Sequence, residues 1–203
     1  MIVDTETEIY NCWADFYRAH GEELALEDYK QCVGSDFQHY DPGKELEQRT
    51  GKTFDWEKED MGRNAEIRSR LGKQDARPGV REFITKAAEL GLPMAVASSS
   101  SRDWVEGWLD KLDLFGHFAG TRTRDDVKQI KPSPDLFLAA ADLLEIDPAH
   151  ALVLEDSENG LRAATAAGIS CAIVTNPVTH GGDFSAAILE AACFTDDRVA
   201  ALI

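Results

Sequence analysis

Up to about residue 74, apolar positions recur only at helical intervals. Ile9, Trp13, Phe16 and Tyr17 share one face, a second stretch covers residues 24–33, and a charged helix is predicted from about Trp56 to Leu71. Asp41-Pro42-Gly43 between them reads as a turn. No β-branched run interrupts this part, so a small helical bundle is expected.

From Arg77 onward, helix and strand alternate. A helix opens at Pro78, buries Val80, Phe83, Ile84, Ala87 and Leu90, and stops at Gly91. A short apolar strand covers residues 92–97, followed by a helix carrying Trp104, Val105, Trp108, Leu109 and Leu112 on one side. A weak strand lies near residues 117–121, a helix at 134–144, a clear buried strand at 151–154, a helix at 161–167 closed by Gly168, and a further strand at 170–174. Buried strands separated by helices predict an α/β fold, with a doubly wound parallel sheet of Rossmann type, beside the small all-helical bundle. The expected division is a short segment 1–5, a helical domain 6–75 and an α/β core 76–203. In such sheets ligands bind at the carboxyl ends of strands, which singles out the loops after Ala97, Gly120 and Leu154.

Composition narrows the function. The formal charge of −16, from 37 acidic and 21 basic side chains, opposes nucleic-acid phosphates at long range. A small phosphorylated metabolite remains open as a partner, because a metal ion and one or two cations can invert the field inside a pocket. No apolar run reaches the roughly 18 residues of a membrane span, and the first residues have neither the basic region nor the apolar core of a signal peptide. Cys12, Cys32, Cys171 and Cys193 are scattered without metal-site spacing, which fits reduced thiols in a cytoplasmic protein. Oligomerisation leaves no pattern, and a monomer is the default.

Three places carry candidate chemistry. Ser98-Ser-Ser-Ser101 follows the first strand, where hydroxyls and helix N–H groups can hold phosphate oxygens; Ser101 could equally serve as a helix cap. Lys131 lies in Ile130-Lys-Pro-Ser-Pro134, a rigid turn suited to aiming a point charge, although a solvated loop lysine is the plainer reading. Glu155 and Asp156 directly follow an apolar strand. Adjacent carboxylates repel unless a cation neutralises them, and hard oxygen donors suit magnesium; Asp156 could instead cap the next helix. Gly160 would let that helix lie close to the strand.

Strand-Ser98, then Lys131-Pro-x-Pro, then strand-Glu155-Asp156-Ser-x-x-Gly160, in that order, resembles motifs two, three and four of the haloacid-dehalogenase superfamily. Ile2-Val-Asp-Thr-Glu6 looks like the stretch after its first motif, and the helical insertion that follows looks like the cap of the β-phosphoglucomutase and phosphatase-like branch. The resemblance implies that Ser98, with Ser99, binds the transferring phosphoryl group, that Lys131 neutralises charge on it, and that Asp156 with Glu155 holds Mg2+. The implied chemistry is phosphoryl transfer through an aspartyl-phosphate.

The chain departs from that family in two ways. The nucleophile and the general acid/base belong to an Asp-x-Asp-Gly motif ending a central strand, expected immediately before Ile2, where the sequence has Met1. Asp4 matches a position further downstream and cannot substitute. The chain as given is therefore expected to be inactive and to carry an apolar slot, and a start site placed too late, or an edited sequence, is favoured over an evolved loss. β-Phosphoglucomutases also resemble one another in a histidine near the position of Ile9, so a phosphatase is expected ahead of a sugar phosphomutase. His39, beside Tyr40 and Asp41, could face substrate but reads more simply as a surface histidine. A non-catalytic phosphate-binding protein is the literal alternative. A dehalogenase would not need the two metal carboxylates, and a receiver domain would place its paired acids at the first strand.

Overall fold

The computed structural model describes residues 1–35 and 40–203. His39 lies outside them. Helix α1 (Thr5–Ala19) starts where the Asp4 carboxylate accepts from the Thr7 N–H and hydroxyl, at 3.1 and 2.7 Å. It packs on α4 (Trp56–Leu71), matching the expected helix. Residues 24–33 form only the short α2 (Leu26–Tyr29) and a 3-10 turn. Trp13, Tyr17, Leu24, Tyr29, Cys32, Val33 and Leu46 make a shared apolar cluster, which Val178 from the other end of the chain also joins.

Asp41-Pro42-Gly43 is not an isolated turn. It opens α3 (Pro42–Thr50), because Asp41 accepts from Gly43 and Lys44 N–H groups and Pro42 stands in the first helical turn.

Beyond Arg77 the order is α5 (Val80–Glu89), β1 (Val96–Ala97), α6 (Arg102–Lys111), β2 (Thr121–Arg122), α7 (Asp135–Leu143), β3 (Leu152–Glu155), α8 (Glu158–Ala166), β4 (Ser170–Val174), β5 (Leu189–Ala191) and α9 (Asp197–Ala200). All strand pairs are parallel, with helices between most of them, as the alternating pattern predicts. Helix α5 begins two residues later than Pro78 suggests. The weak strand lies at Thr121, just past the 3-10 turn Phe115–His117. Strand β5 and helix α9 are too short to show a period in the sequence.

The sheet is in two pieces. β1 pairs with β2, β3–β4–β5 form the other piece, and no pairing joins β1 to β3 among the described residues. Val96 and Ala97 are only half-buried, as are Leu152 and Leu154, whereas β4 is buried from Cys171 to Val174. Interior strands of a parallel sheet are normally covered on both faces and paired on both edges. The facing edges of β1 and β3 thus lack what β4 has.

Candidate active site at the carboxyl ends of β1 and β3

The apolar run of β3 ends on Glu155, 6% exposed, and Asp156, 9% exposed. Ser157 then caps α8 by accepting from the Gly160 N–H at 3.0 Å, so the cap is Ser157 rather than Asp156. Both Glu155 oxygens are engaged. Oε2 accepts from the Asp156 N–H (2.8 Å), the Ser157 N–H (3.1 Å) and the Ser157 hydroxyl (3.1 Å), and Oε1 accepts from Lys131 Nζ at 2.5 Å. The Asp156 carboxylate is left for other cations.

Lys131 is 5% exposed, not a solvated loop lysine. Its ammonium also donates to the Ala97 carbonyl at 3.0 Å and stands 4.7 Å from the Phe137 ring centroid. One buried cation therefore touches the last residue of β1 and the last residue of β3, two strands that no pairing joins among the described residues. Ser98 follows on β1: its N–H donates to Arg122 O at 2.8 Å, and its hydroxyl accepts from the Ser100 N–H at 3.2 Å. The Ser99 hydroxyl donates to the Gly34 carbonyl at 3.0 Å. Ser101 occupies the cap position of α6 without a side-chain hydrogen bond; the Asp125 carboxylate, a stronger acceptor, takes the Arg102 N–H at 2.8 Å instead.

Gly160 lets α8 come down onto Glu155. A Cβ there would stand 2.0 Å from Glu155 Cδ. Gly160→Ala is expected to lower stability by about 2–3 kcal/mol through overpacking, whereas Gly107→Ala in α6, with nothing within 4 Å of its Cβ, should be neutral or stabilising. Denaturant unfolding of both variants checks the contrast.

Three further groups surround Asp156 that the sequence motifs do not single out as ligands. Asn176, just after β4, donates to Asp156 Oδ2 at 3.1 Å, and Arg77 Nη1 lies 3.9 Å from the same oxygen. The Met1 ammonium is 3.0 Å from it. Burial works against ionised Asp156, yet the Met1 ammonium, Arg77 and the Asn176 amide together hold its carboxyl below the usual range. Glu6 goes the other way: burial, then the Asp156 charge, pushes it up to about 7. Inspecting the carboxyl end of the strand at 170–174 would have found Asn176, whereas Arg77 and Glu6 are brought in by tertiary packing.

The donor set suits a hard cation. No group of three or more His, Cys, Asp or Glu side chains that could hold a metal occurs among the described residues. Magnesium, however, commonly uses one or two carboxylates and completes its shell with water and phosphate oxygens. Asp156 already draws an ammonium and a guanidinium to one oxygen.

Residues 1–174 match the family profile described as haloacid dehalogenase-like hydrolase. YhcW of Bacillus subtilis (strain 168), which carries a provisional phosphatase name, is 38% identical over 179 residues, covering 88% of this chain and 81% of that protein. A mutant form of CbbY from Rhodobacter sphaeroides, solved with xylulose-(1,5)bisphosphate, shares the fold with a TM-score of 0.72 at 24% identity, over 96% of this chain and 91% of that one. β-Phosphoglucomutase from Clostridium difficile does so with a TM-score of 0.75 at 19% identity, over 96% and 87%.

Proposed function

The chain belongs to the haloacid dehalogenase-like hydrolase family, and from that premise we propose that its site serves a magnesium-dependent phosphatase acting on a small phosphorylated metabolite. The observation that carries the reading is Lys131, whose buried ammonium bridges Ala97 and Glu155 across the unpaired edges of β1 and β3. A lysine there meets a phosphoryl group held by Ser98 and Ser99 and any carboxylate delivered between the two strands.

That carboxylate is not among the chain's 203 residues as an Asp-x-Asp-Gly motif. In a chain that carried such a motif, its strand would lie between β1 and β3 and end beside Asp156. The first aspartate would attack phosphorus, forming an aspartyl-phosphate O–P bond as the ester P–O bond breaks, while the second gives its proton to the departing alcohol. Water then cleaves the aspartyl-phosphate and releases orthophosphate. Magnesium, held by Asp156 with water and phosphate oxygens completing its shell, would supply neutralisation of the phosphoryl oxygens, because Glu155 is occupied by Lys131 and the start of α8. Asn176 and Arg77 hold the Asp156 carboxylate in place, and the Glu155 contacts fix Lys131. The non-catalytic alternative is a chain that would hold phosphate at Ser98 and Lys131 without turning it over.

The substrate class is tested on a chain carrying that strand, with sugar phosphates and magnesium. Release of orthophosphate is expected. Isomerised sugar phosphate, dependent on a bisphosphate activator, would make the protein a phosphomutase; neither product would overturn the enzymatic reading.

A further inference from the structure

The turn after β4 has two ends that serve different parts of the molecule. Asn176, 4% exposed, uses its side-chain oxygen within the turn: Oδ1 accepts from the Val178 N–H at 2.9 Å and the Thr179 N–H at 3.0 Å. With both acceptor sites filled, the amide of the same side chain faces outward, and Nδ2 donates to Asp156 Oδ2 at 3.1 Å. The backbone closes the turn further: the Asn176 N–H donates to the Thr179 hydroxyl at 3.0 Å, and the His180 N–H to the Asn176 carbonyl at 2.9 Å. Pro177 lies inside it and fixes one more dihedral. So braced a turn moves as one piece, and displacing Val178 displaces the Asn176 amide.

The second end lies outside the α/β part. Val178, 2% exposed, packs into the apolar cluster that holds Trp13, Tyr29 and Leu46. Among the described residues, every other member of that cluster lies at or before Trp56. Lys30 Nζ, donating to the His180 carbonyl at 3.0 Å, ties the turn to the helical part a second time. A turn that only had to present an amide to Asp156 could end at Asn176. The buried valine two residues further on joins that amide to another core.

We propose that Val178 is a positioning residue for Asp156, acting through Asn176, so that packing inside the helical part sets the aim of the metal carboxylate. The proposal rests on the phosphatase reading above for the metal. Truncating Val178 opens a cavity into which the turn can shift. The Asn176 amide then loses its line to Asp156 Oδ2. Because both residues act on the carboxylate by one route, removing either leaves the other with no effect, and their losses do not add.

Two measurements on the chain as it exists test this. One is hydrogen exchange of the Asn176 side-chain amide by NMR, its signal identified by disappearance in Asn176→Ala. The other is Mn2+ binding, read from water proton relaxation. Val178→Ala is expected to speed exchange of that amide about tenfold and to weaken Mn2+ binding about fivefold, the worth of one hydrogen bond. Asn176→Ala should weaken Mn2+ binding equally, and the double variant no further. Ile67→Ala, in the separate apolar cluster of Cys12 and Leu71, lowers stability and should change neither reading. Wild-type exchange of the amide in Val178→Ala would overturn the proposal. Equal acceleration in Ile67→Ala would do so too, by marking ordinary destabilisation, as would additive losses in the double variant. Failure of the wild type to bind Mn2+ would count against the metal site, with Val178 then judged on the amide alone.

Discussion

Replacing Lys131 by methionine is expected to cost about 3–5 kcal/mol of stability at neutral pH, among the largest effects of any single change in this chain. Lys131 and Glu155 are each 7% exposed at the side chain and form a direct ion pair. Methionine fills similar space but leaves a buried carboxylate without its cation. Glu155 still accepts from the Asp156 and Ser157 N–H groups, and those bonds relieve part of the cost. Adding Glu155→Gln removes the stranded charge and keeps an oxygen for the same donors. The double variant should therefore recover to within about 1–2 kcal/mol of wild type, the worth of one or two neutral hydrogen bonds. Denaturant midpoints of the two single variants and the double complete the cycle. Additive losses would mean that Lys131 and Glu155 are not coupled and that the bridge between the strands is incidental.

A chain extended upstream by an apolar strand ending in Asp-x-Asp-Gly is expected to be much more stable than this one. Three to five buried Val, Ile, Leu or Phe side chains contribute about 1.5–3 kcal/mol each before the entropy of ordering them, giving roughly 10 kcal/mol gross. That is comparable with the whole stability of a typical domain, about 5–15 kcal/mol. Half-buried Val96, Ala97, Leu152 and Leu154 are the side chains that would gain cover. Met1 and Ile2 belong to the cluster that also holds Val96, Leu154 and Val174, so the added strand would arrive next to its expected neighbours. The measurement is the unfolding midpoint together with exchange protection of β1 and β3 amides. No added protection in β1 and β3 would place the strand elsewhere.

Much of the α/β part was readable because its signals are local. The strands at 151–154 and 170–174 are short apolar runs separated by a helix that Gly168 ends, and both form within a residue of their expected limits. The charged Trp56–Leu71 helix also forms where it is expected, and the structure adds an Asp55 cap at its start. Asp41-Pro42 carried a helix-start signal that a turn reading concealed, since Asp-Pro-Gly serves both. Strand β5, three residues long, is held by pairing with β4 and leaves no periodicity to find.

At the site, residue order along the chain located Lys131, Glu155 and Asp156, and the fold brings them together. What could not be read is how they divide the work of neutralising one another. Glu155 is committed to Lys131 and to three donors at the start of α8. Asp156 instead faces Asn176, 20 residues further along the chain, and Arg77, which precedes every strand of the α/β part. Contacts of that range depend on the sheet having formed. The hydrogen bond from Ser99 to the Gly34 carbonyl is hidden for the same reason.

The most direct test of the phosphatase account is hydrolysis of p-nitrophenyl phosphate with magnesium, by this chain and by the chain extended through an Asp-x-Asp-Gly strand. The account predicts no turnover by the first and magnesium-dependent turnover by the second, lost again when Lys131 is replaced by methionine. Turnover by the unextended chain, or none by the folded extended one, would contradict it.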